Sequence, residues 1–178
     1  MKLKNKDYRI IDEEVVNIYE DYGLTSFPIN VYELCKKMGI KLFKYSSFEG
    51  EDKKILLKKS YDGFFTKSPV GYCIFYNDQI ENNEQINMTI AHEISHYVFE
   101  DECENEIVES YAKHFARYLL CPTPYLIHKE MFNYLDIMYT FEITKTAAIN
   151  ASNSALNRYE AMGDRIFDYE QPILELIQ

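Results

Sequence analysis

A His-Glu-Ile-Ser-His pentapeptide begins at His92, and it constrains the chain more than any other stretch does. Apolar residues recur at steps of four through Ile86, Ile90 and Ile94, which predicts a helix with one buried face. His92 and His96 share one face of that helix, so both imidazoles can bind the same Zn²⁺ ion. The alternative interpretation is two exposed histidines on an amphipathic helix without a metal.

Glu93 follows the first histidine and projects beside the ion that the two histidines would share. A carboxylate in this place can accept a proton from a water molecule that the metal activates, as in metallopeptidases. A structural zinc site uses four protein ligands, whereas a catalytic site uses three and keeps one position open. The sequence therefore predicts Glu93 as a general base and requires a third ligand from elsewhere in the chain.

The acidic stretch after the pentapeptide offers several candidates for the third ligand. Glu100 is poorly placed, because at a rise of about 1.5 Å per residue its Cα lies about 12 Å from that of His92. Residues 106–120 are predicted to form a second helix, which ends before a proline and carries Glu109 beside its apolar face. Cys103 is an alternative soft ligand. The remaining acids are expected to face solvent: Glu102, Glu104 and Glu106.

The second helix carries a spaced series of residues that continues the pattern of the pentapeptide. The series comprises Glu109, Ala112, Phe115, Ala116, Leu119, Leu120 and Pro122. Together with the upstream segments Asp62-Gly63-Phe64, Ile74-Phe75-Tyr76-Asn77 and Thr89-Ile90-Ala91, this series resembles the ImmA/IrrE family of zinc endopeptidases. The resemblance covers about residues 8 to 160, although Met88 and Cys121 depart from the residues usual in the family.

The resemblance implies a zincin-like site in which His92, His96 and Glu109 bind Zn²⁺ and Glu93 is the general base. It also implies a protein substrate, a helix-turn-helix repressor of a phage or integrative element, whose cleavage would release gene expression. Two alternatives remain open. The chain would then be a non-catalytic module that binds a transcriptional repressor, or a toxin–antitoxin component that acts through a partner.

The formal net charge of −10 bears on the partners that the chain can bind. Direct DNA binding is not expected, since phosphate contacts need clustered Lys or Arg side chains. An acidic surface would suit a basic partner, such as the DNA-binding domain of a repressor.

The sequence has no run of 18 apolar residues, no signal-peptide pattern and no paired spacing among its four cysteines. A cytoplasmic protein without membrane contact is therefore expected.

The predicted fold class is α+β, with a small antiparallel sheet packed on helices and a helical C-terminal region. Helices are predicted at about residues 8–22, 30–38, 84–99 and 106–120. Strands are predicted at about residues 41–45, 55–58 and 72–76. The expected division is a metallopeptidase core over residues 1–122 and a helical region over residues 123–178, packed on the core.

The C-terminal region is predicted to contain two short helices around a break at Ser152, with Thr144 and Ser152 as N-caps. This spacing is similar to a helix-turn-helix. Its exposed face, however, offers only Asn153, Asn157 and Arg158 for reading DNA. Support of the core or substrate docking is therefore the preferred interpretation. The apolar tail at residues 172–177 is expected to pack on the domain or on a partner.

Overall fold

The computed structural model describes residues 3–69, 71–100 and 105–177, which form nine α-helices and three strands. The helices α1 to α9 are Asn5–Tyr22, Val31–Lys37, Gly50–Lys59, Asn83–Val98, Glu106–Leu120, Thr123–His128, Tyr134–Phe141, Lys145–Met162 and Gln171–Leu176. The strands β1 to β3 are Lys41–Lys44, Gly63–Ser68 and Gly71–Tyr76. Short 3₁₀ turns lie at Tyr45–Ser47 and Asp168–Glu170. The predicted α+β class is confirmed.

The sheet is small and mixed, with the strand order β1-β3-β2. β2 and β3 form an antiparallel hairpin in which Phe65 is opposite Ile74. β1 runs parallel to β3, with Leu42 opposite Ile74. A parallel neighbour requires a long crossover, and here α3 and β2 supply it. The prediction of an antiparallel sheet therefore holds for the pairing of β2 with β3 and is wrong for that of β1 with β3. β2 lies at the edge of the sheet.

Residues 55–58 were predicted as a strand, and this prediction is wrong because they belong to α3. Glu51 and Asp52 in the first turn and Lys58 and Lys59 in the last turn complement the helix dipole. No residue of α3 is buried, so its apolar residues do not pack in the core. The strand that the prediction missed is β2, which begins at Gly63.

The two helices that were predicted to carry the site are confirmed as α4 and α5. The Asn82 side chain caps α4 by accepting a hydrogen bond from the Gln85 amide. Asn105 caps α5 in the same way. Small Ala112 and Ala116 on α5 are buried, and they let the two helices pack closely. Capping and packing together fix the phase of both helices relative to each other.

The predicted break at Ser152 is wrong, because α8 runs without interruption from Lys145 to Met162. Ser152 is buried within this helix, and its hydroxyl donates to the Phe132 carbonyl oxygen at 2.6 Å. It is therefore not an N-cap, whereas Thr144 is, since its side chain accepts from the Ala147 amide. Buried alanines of α8 pack against α6 and α7 and hold the helix together. The described residues contain no helix-turn-helix at this position.

The C-terminal tail packs back on the domain, as one of its two predicted alternatives proposed. Ile173 and Ile177 are buried in the same apolar core as residues of α1 and α5. A buried polar cluster fixes the same region: Glu170 is fully buried and binds both terminal nitrogens of Arg158 at 2.6 Å. Tyr118 of α5 donates its hydroxyl to the same carboxylate at 2.9 Å. The division of the chain at residue 122 stays a prediction.

Two further findings bear on the environment of the chain. Cys35, Cys73 and Cys121 are buried free thiols. Among the described residues, no helix combines the length and the apolar character that crossing a bilayer requires.

Candidate metal centre

Three side chains meet where α4 packs against α5. One ligand atom from each of His92, His96 and Glu109 lies within 4.8 Å of the other two. The nearest Glu109 oxygens are 3.4 Å from His92 Nε2 and 3.8 Å from His96 Nε2. Ligand atoms of a tetrahedral zinc site are about 3.3 Å apart, given bonds of about 2.0 Å. Two imidazoles and a carboxylate at these separations therefore fit one such ion.

The backbone explains why these three residues converge. His92 and His96 are one helical turn apart on α4, so their rings lie side by side with centroids 5.0 Å apart. Glu109 lies in the first turn of α5, which the Asn105 cap holds in place. The predicted ligand set is brought together as a unit.

The other acidic candidates do not join this cluster within the part of the chain that the structure describes. Glu100 follows the end of α4 with a left-handed backbone conformation, and its side chain is exposed. Glu106 lies in the first turn of α5, also with an exposed side chain. The candidates Glu102, Cys103 and Glu104 lie outside the described residues.

Burial determines the protonation state of the first histidine. It lowers the pKa of His92 from 6.5 to about 4, against the opposing effect of the neighbouring Glu109 carboxylate. Electrostatic interactions with His96 and Lys113 lower the pKa of His92 further. At neutral pH the His92 imidazole is therefore uncharged, which is the form that binds a metal ion.

Glu93 contacts the sheet. Its side chain is buried, and its Oε2 accepts a hydrogen bond from the Phe65 amide at 2.8 Å. In an antiparallel ladder, alternate residues point their amide and carbonyl groups away from the partner strand. Phe65 is one of these residues, so the Glu93 carboxylate lies between α4 and the outer edge of β2.

The Asp62-Gly63 pair secures β2 against α4. The Asp62 carboxylate accepts from the Gln85 side-chain amide at 2.8 Å. A Cβ atom on Gly63 would lie 2.8 Å from the Phe75 carbonyl oxygen and 2.9 Å from Thr89 Cγ2. Only glycine permits this close approach. The pair therefore sets the distance between the edge strand and the helix that bears Glu93.

A second polar cluster near the centre was missed by the sequence analysis. His114 Nε2 lies 2.7 Å from an Asp12 oxygen, and His114 Nδ1 lies 2.8 Å from an Arg117 nitrogen. Because a guanidinium can only donate, Nδ1 accepts and the Nε2 proton is directed at Asp12. Burial lowers the pKa of His114 and raises that of Asp12. The cluster joins α1 to the helix that carries Glu109.

The metal centre opens into a long cleft with a volume of about 2280 Å³. Phe64 and Phe65 of β2 line it near Glu93. Asp12, His114 and polar residues of α8 also line the cleft. The site is therefore accessible to a chain much longer than a single amino acid.

The lowered pKa of His92 predicts how the metal-free protein responds to acid. Between pH 6.5 and about 4 the unfolded chain protonates His92 and the folded chain does not, so stability falls as the pH falls. The shift corresponds to about 3 kcal/mol at most. Thermal unfolding in the presence of a chelator measures it. We expect His92→Asn to make stability depend less on pH than it does in the wild type. Identical dependence of stability on pH in the two proteins would contradict the lowered pKa of His92.

Comparison with protein families identifies the fold that carries this site. The family described as IrrE N-terminal-like domain matches residues 35–153, which is more than half of the chain and includes the whole ligand cluster. Comparisons with curated proteins and with solved structures gave no match. The resemblance inferred from the residues is thereby confirmed. The chain belongs to the IrrE N-terminal-like domain family of metallopeptidases.

Proposed function

We propose that the chain is a zinc-dependent endopeptidase in which His92, His96 and Glu109 bind the ion and Glu93 is the general base. The observation that carries the proposal is the meeting of the three ligand atoms within 4.8 Å, one residue from a buried carboxylate. Three ligands with an imidazole and carboxylate donor set are typical of catalytic zinc sites. Membership of a metallopeptidase family supports the same chemistry.

When bound, the ion makes water more acidic and polarises the carbonyl of the scissile peptide. Glu93 is the residue that moves the proton: its carboxylate accepts the proton from water and then donates it to the leaving amine. The Phe65 amide orients this carboxylate through the bond to Oε2. The burial of Glu93 limits its contact with bulk solvent.

The edge strand gives an extended peptide a place to bind. β2 lies at the edge of the described sheet, and its outward residues Gly63, Phe65 and Lys67 alternate along the side near Glu93. An extended peptide can add to such an edge through main-chain hydrogen bonds. Its scissile bond would then lie next to α4.

The substrate that we propose is a helix-turn-helix repressor of a phage or integrative element. The support is the family resemblance together with the charge of the chain, −10, which favours a basic DNA-binding domain as partner. The two rivals, a contact regulator and a toxin–antitoxin component, require no cleavage. Cleavage that depends on Glu93 would therefore separate the proposed function from both.

The ligand assignment is tested by elemental analysis of purified wild type and Glu109→Ala. We expect near-equimolar zinc in the wild type and a clear loss of zinc in the variant, since only two protein ligands remain. Glu106→Ala is the matched control, because Glu106 lies in the same helical turn and outside the cluster. A wild type that binds no zinc at neutral pH, even after zinc is added, would overturn the proposal.

A further inference from the structure

The lining of the cleft differs in charge from the chain as a whole. The chain has 29 Asp and Glu residues against 19 Lys and Arg residues. Among the described residues that line the cleft, cations outnumber acids, although two of the cations, Arg9 and Arg158, are paired with Glu13 and Glu170. The cations are Arg9, Lys59, Lys113, Arg117, Lys145 and Arg158. The acids are Asp12, Asp62, Glu93 and Glu109.

The acids of the cleft are already engaged. Glu109 contacts the two histidines, and Glu93 contacts the Phe65 amide. Asp12 bonds to His114, and Asp62 bonds to Gln85. None of them neutralises the lysines of the cleft, so the positive charge of those lysines is available to a ligand.

Two exposed lysines line the cleft, one on α5 and one on α8. Lys113 follows Glu109 by one turn of α5, which brings it to the same side of the helix as the metal centre. Lys145 opens α8. Neither lysine forms an ion pair within residues 3–69, 71–100 and 105–177. Both can therefore bind a carboxylate without breaking an existing pair.

The face of α8 that lines the cleft is rich in side-chain amides. Asn150, Asn153 and Asn157 are exposed there, with a spacing of three and four residues that places them on one face. Nowhere in the described part of the chain do these amides find a hydrogen-bond partner. An amide side chain donates and accepts at once, so it can bind the backbone of any extended peptide.

We propose that the cleft between the metal centre and α8 binds an extended, acidic segment of the protein substrate beside the scissile bond. The proposal rests on the proposed peptidase function, because the same cleft contains the metal centre. Lys113 and Lys145 select carboxylate side chains, and the three asparagines bind the backbone. A basic DNA-binding domain would contact the acidic outer surface, while an acidic linker of the same substrate enters the cleft.

The test uses full-length, zinc-loaded protein carrying Glu93→Gln, so that bound peptides stay intact. The probes are three fluorescent peptides of equal length and identical except at their charged positions, which are all Glu, all Gln or all Lys. Fluorescence anisotropy gives the dissociation constants. We expect the Glu peptide to bind about tenfold more tightly than the Gln peptide at low salt, the Lys peptide to bind most weakly, and high salt to reduce the difference.

Matched variants locate the charge preference. We expect Lys113→Met and Lys145→Met each to lower the affinity for the Glu peptide by up to about fivefold. The affinity for the Gln peptide should not change. Lys36→Met is the control, because Lys36 is exposed on α2 and outside the cleft. Replacing the three asparagines by alanine should lower the affinity for all three peptides equally. Alanine is chosen because it preserves the helix.

Equal binding of the Glu and Gln peptides would overturn the proposal. So would effects of Lys113→Met and Lys145→Met no larger than that of Lys36→Met. The peptidase function is tested separately. If the charge preference is found but cleavage does not depend on zinc and Glu93, the cleft assignment holds and the peptidase function is rejected. Cleavage without the charge preference removes only the cleft assignment.

Discussion

Glu93→Gln is expected to retain its zinc and to lose peptide cleavage by about a thousandfold or more. Glutamine has nearly the same shape as glutamate, and its amide oxygen can still accept the hydrogen bond from Phe65. It cannot accept and return a proton at neutral pH, so only the proton transfer is removed. Cleavage of a peptide library, followed by mass spectrometry, and the zinc content of the same preparation measure the two effects.

The matched control for this variant is Glu84→Gln, the same substitution in the first turn of the same helix and outside the cleft. We expect it to cleave at the wild-type rate. Undiminished cleavage by Glu93→Gln would exclude Glu93 as the general base, even if the zinc site itself were intact.

Glu170→Ala is expected to destabilise the fold by about 3–5 kcal/mol. The Glu170 carboxylate is fully buried, and it accepts hydrogen bonds from Arg158, Tyr118 and the Phe167 amide. Removing it leaves a largely buried guanidinium without its carboxylate partner, and that uncompensated charge is the main cost. Urea unfolding monitored by circular dichroism measures the difference in the free energy of unfolding.

A double variant, Glu170→Met with Arg158→Met, separates the unpaired charge from a loss of packing. We expect it to be more stable than Glu170→Ala, since an apolar pair of similar size leaves no buried charge. A loss below about 1 kcal/mol in Glu170→Ala would show that the cluster contributes little to stability.

The candidate metal centre could be predicted because its determinants are local. His92 and His96 follow from the spacing within one helix, whereas Glu109 was selected among several acids by the family resemblance, in agreement with its position beside an apolar face. Helical periodicity can be recognised in a single sequence. The packing of α4 on α5, which the small Ala112 and Ala116 permit, then completes the site.

The failures have a different origin, because tertiary contacts decided them. Ser152 has the local character of a cap, yet its hydroxyl finds a carbonyl 20 residues away and is buried within α8. Residues 55–58 include a short apolar run whose pattern alone does not distinguish strand from helix, and in the structure they belong to a helix without buried residues. Asp12 and His114 are separated by 102 positions, so no local pattern connects them.

The hydrogen bond between the Phe65 amide and Glu93 couples the position of the proposed base to the pairing of the edge strand β2. A peptide that paired along β2 would seek the same amide for one of its own carbonyl oxygens. Base and incoming backbone therefore compete for a single donor. A peptide carbonyl that took this donor would remove the bond that orients the Glu93 carboxylate, so strand pairing at Phe65 and the position of the base depend on each other.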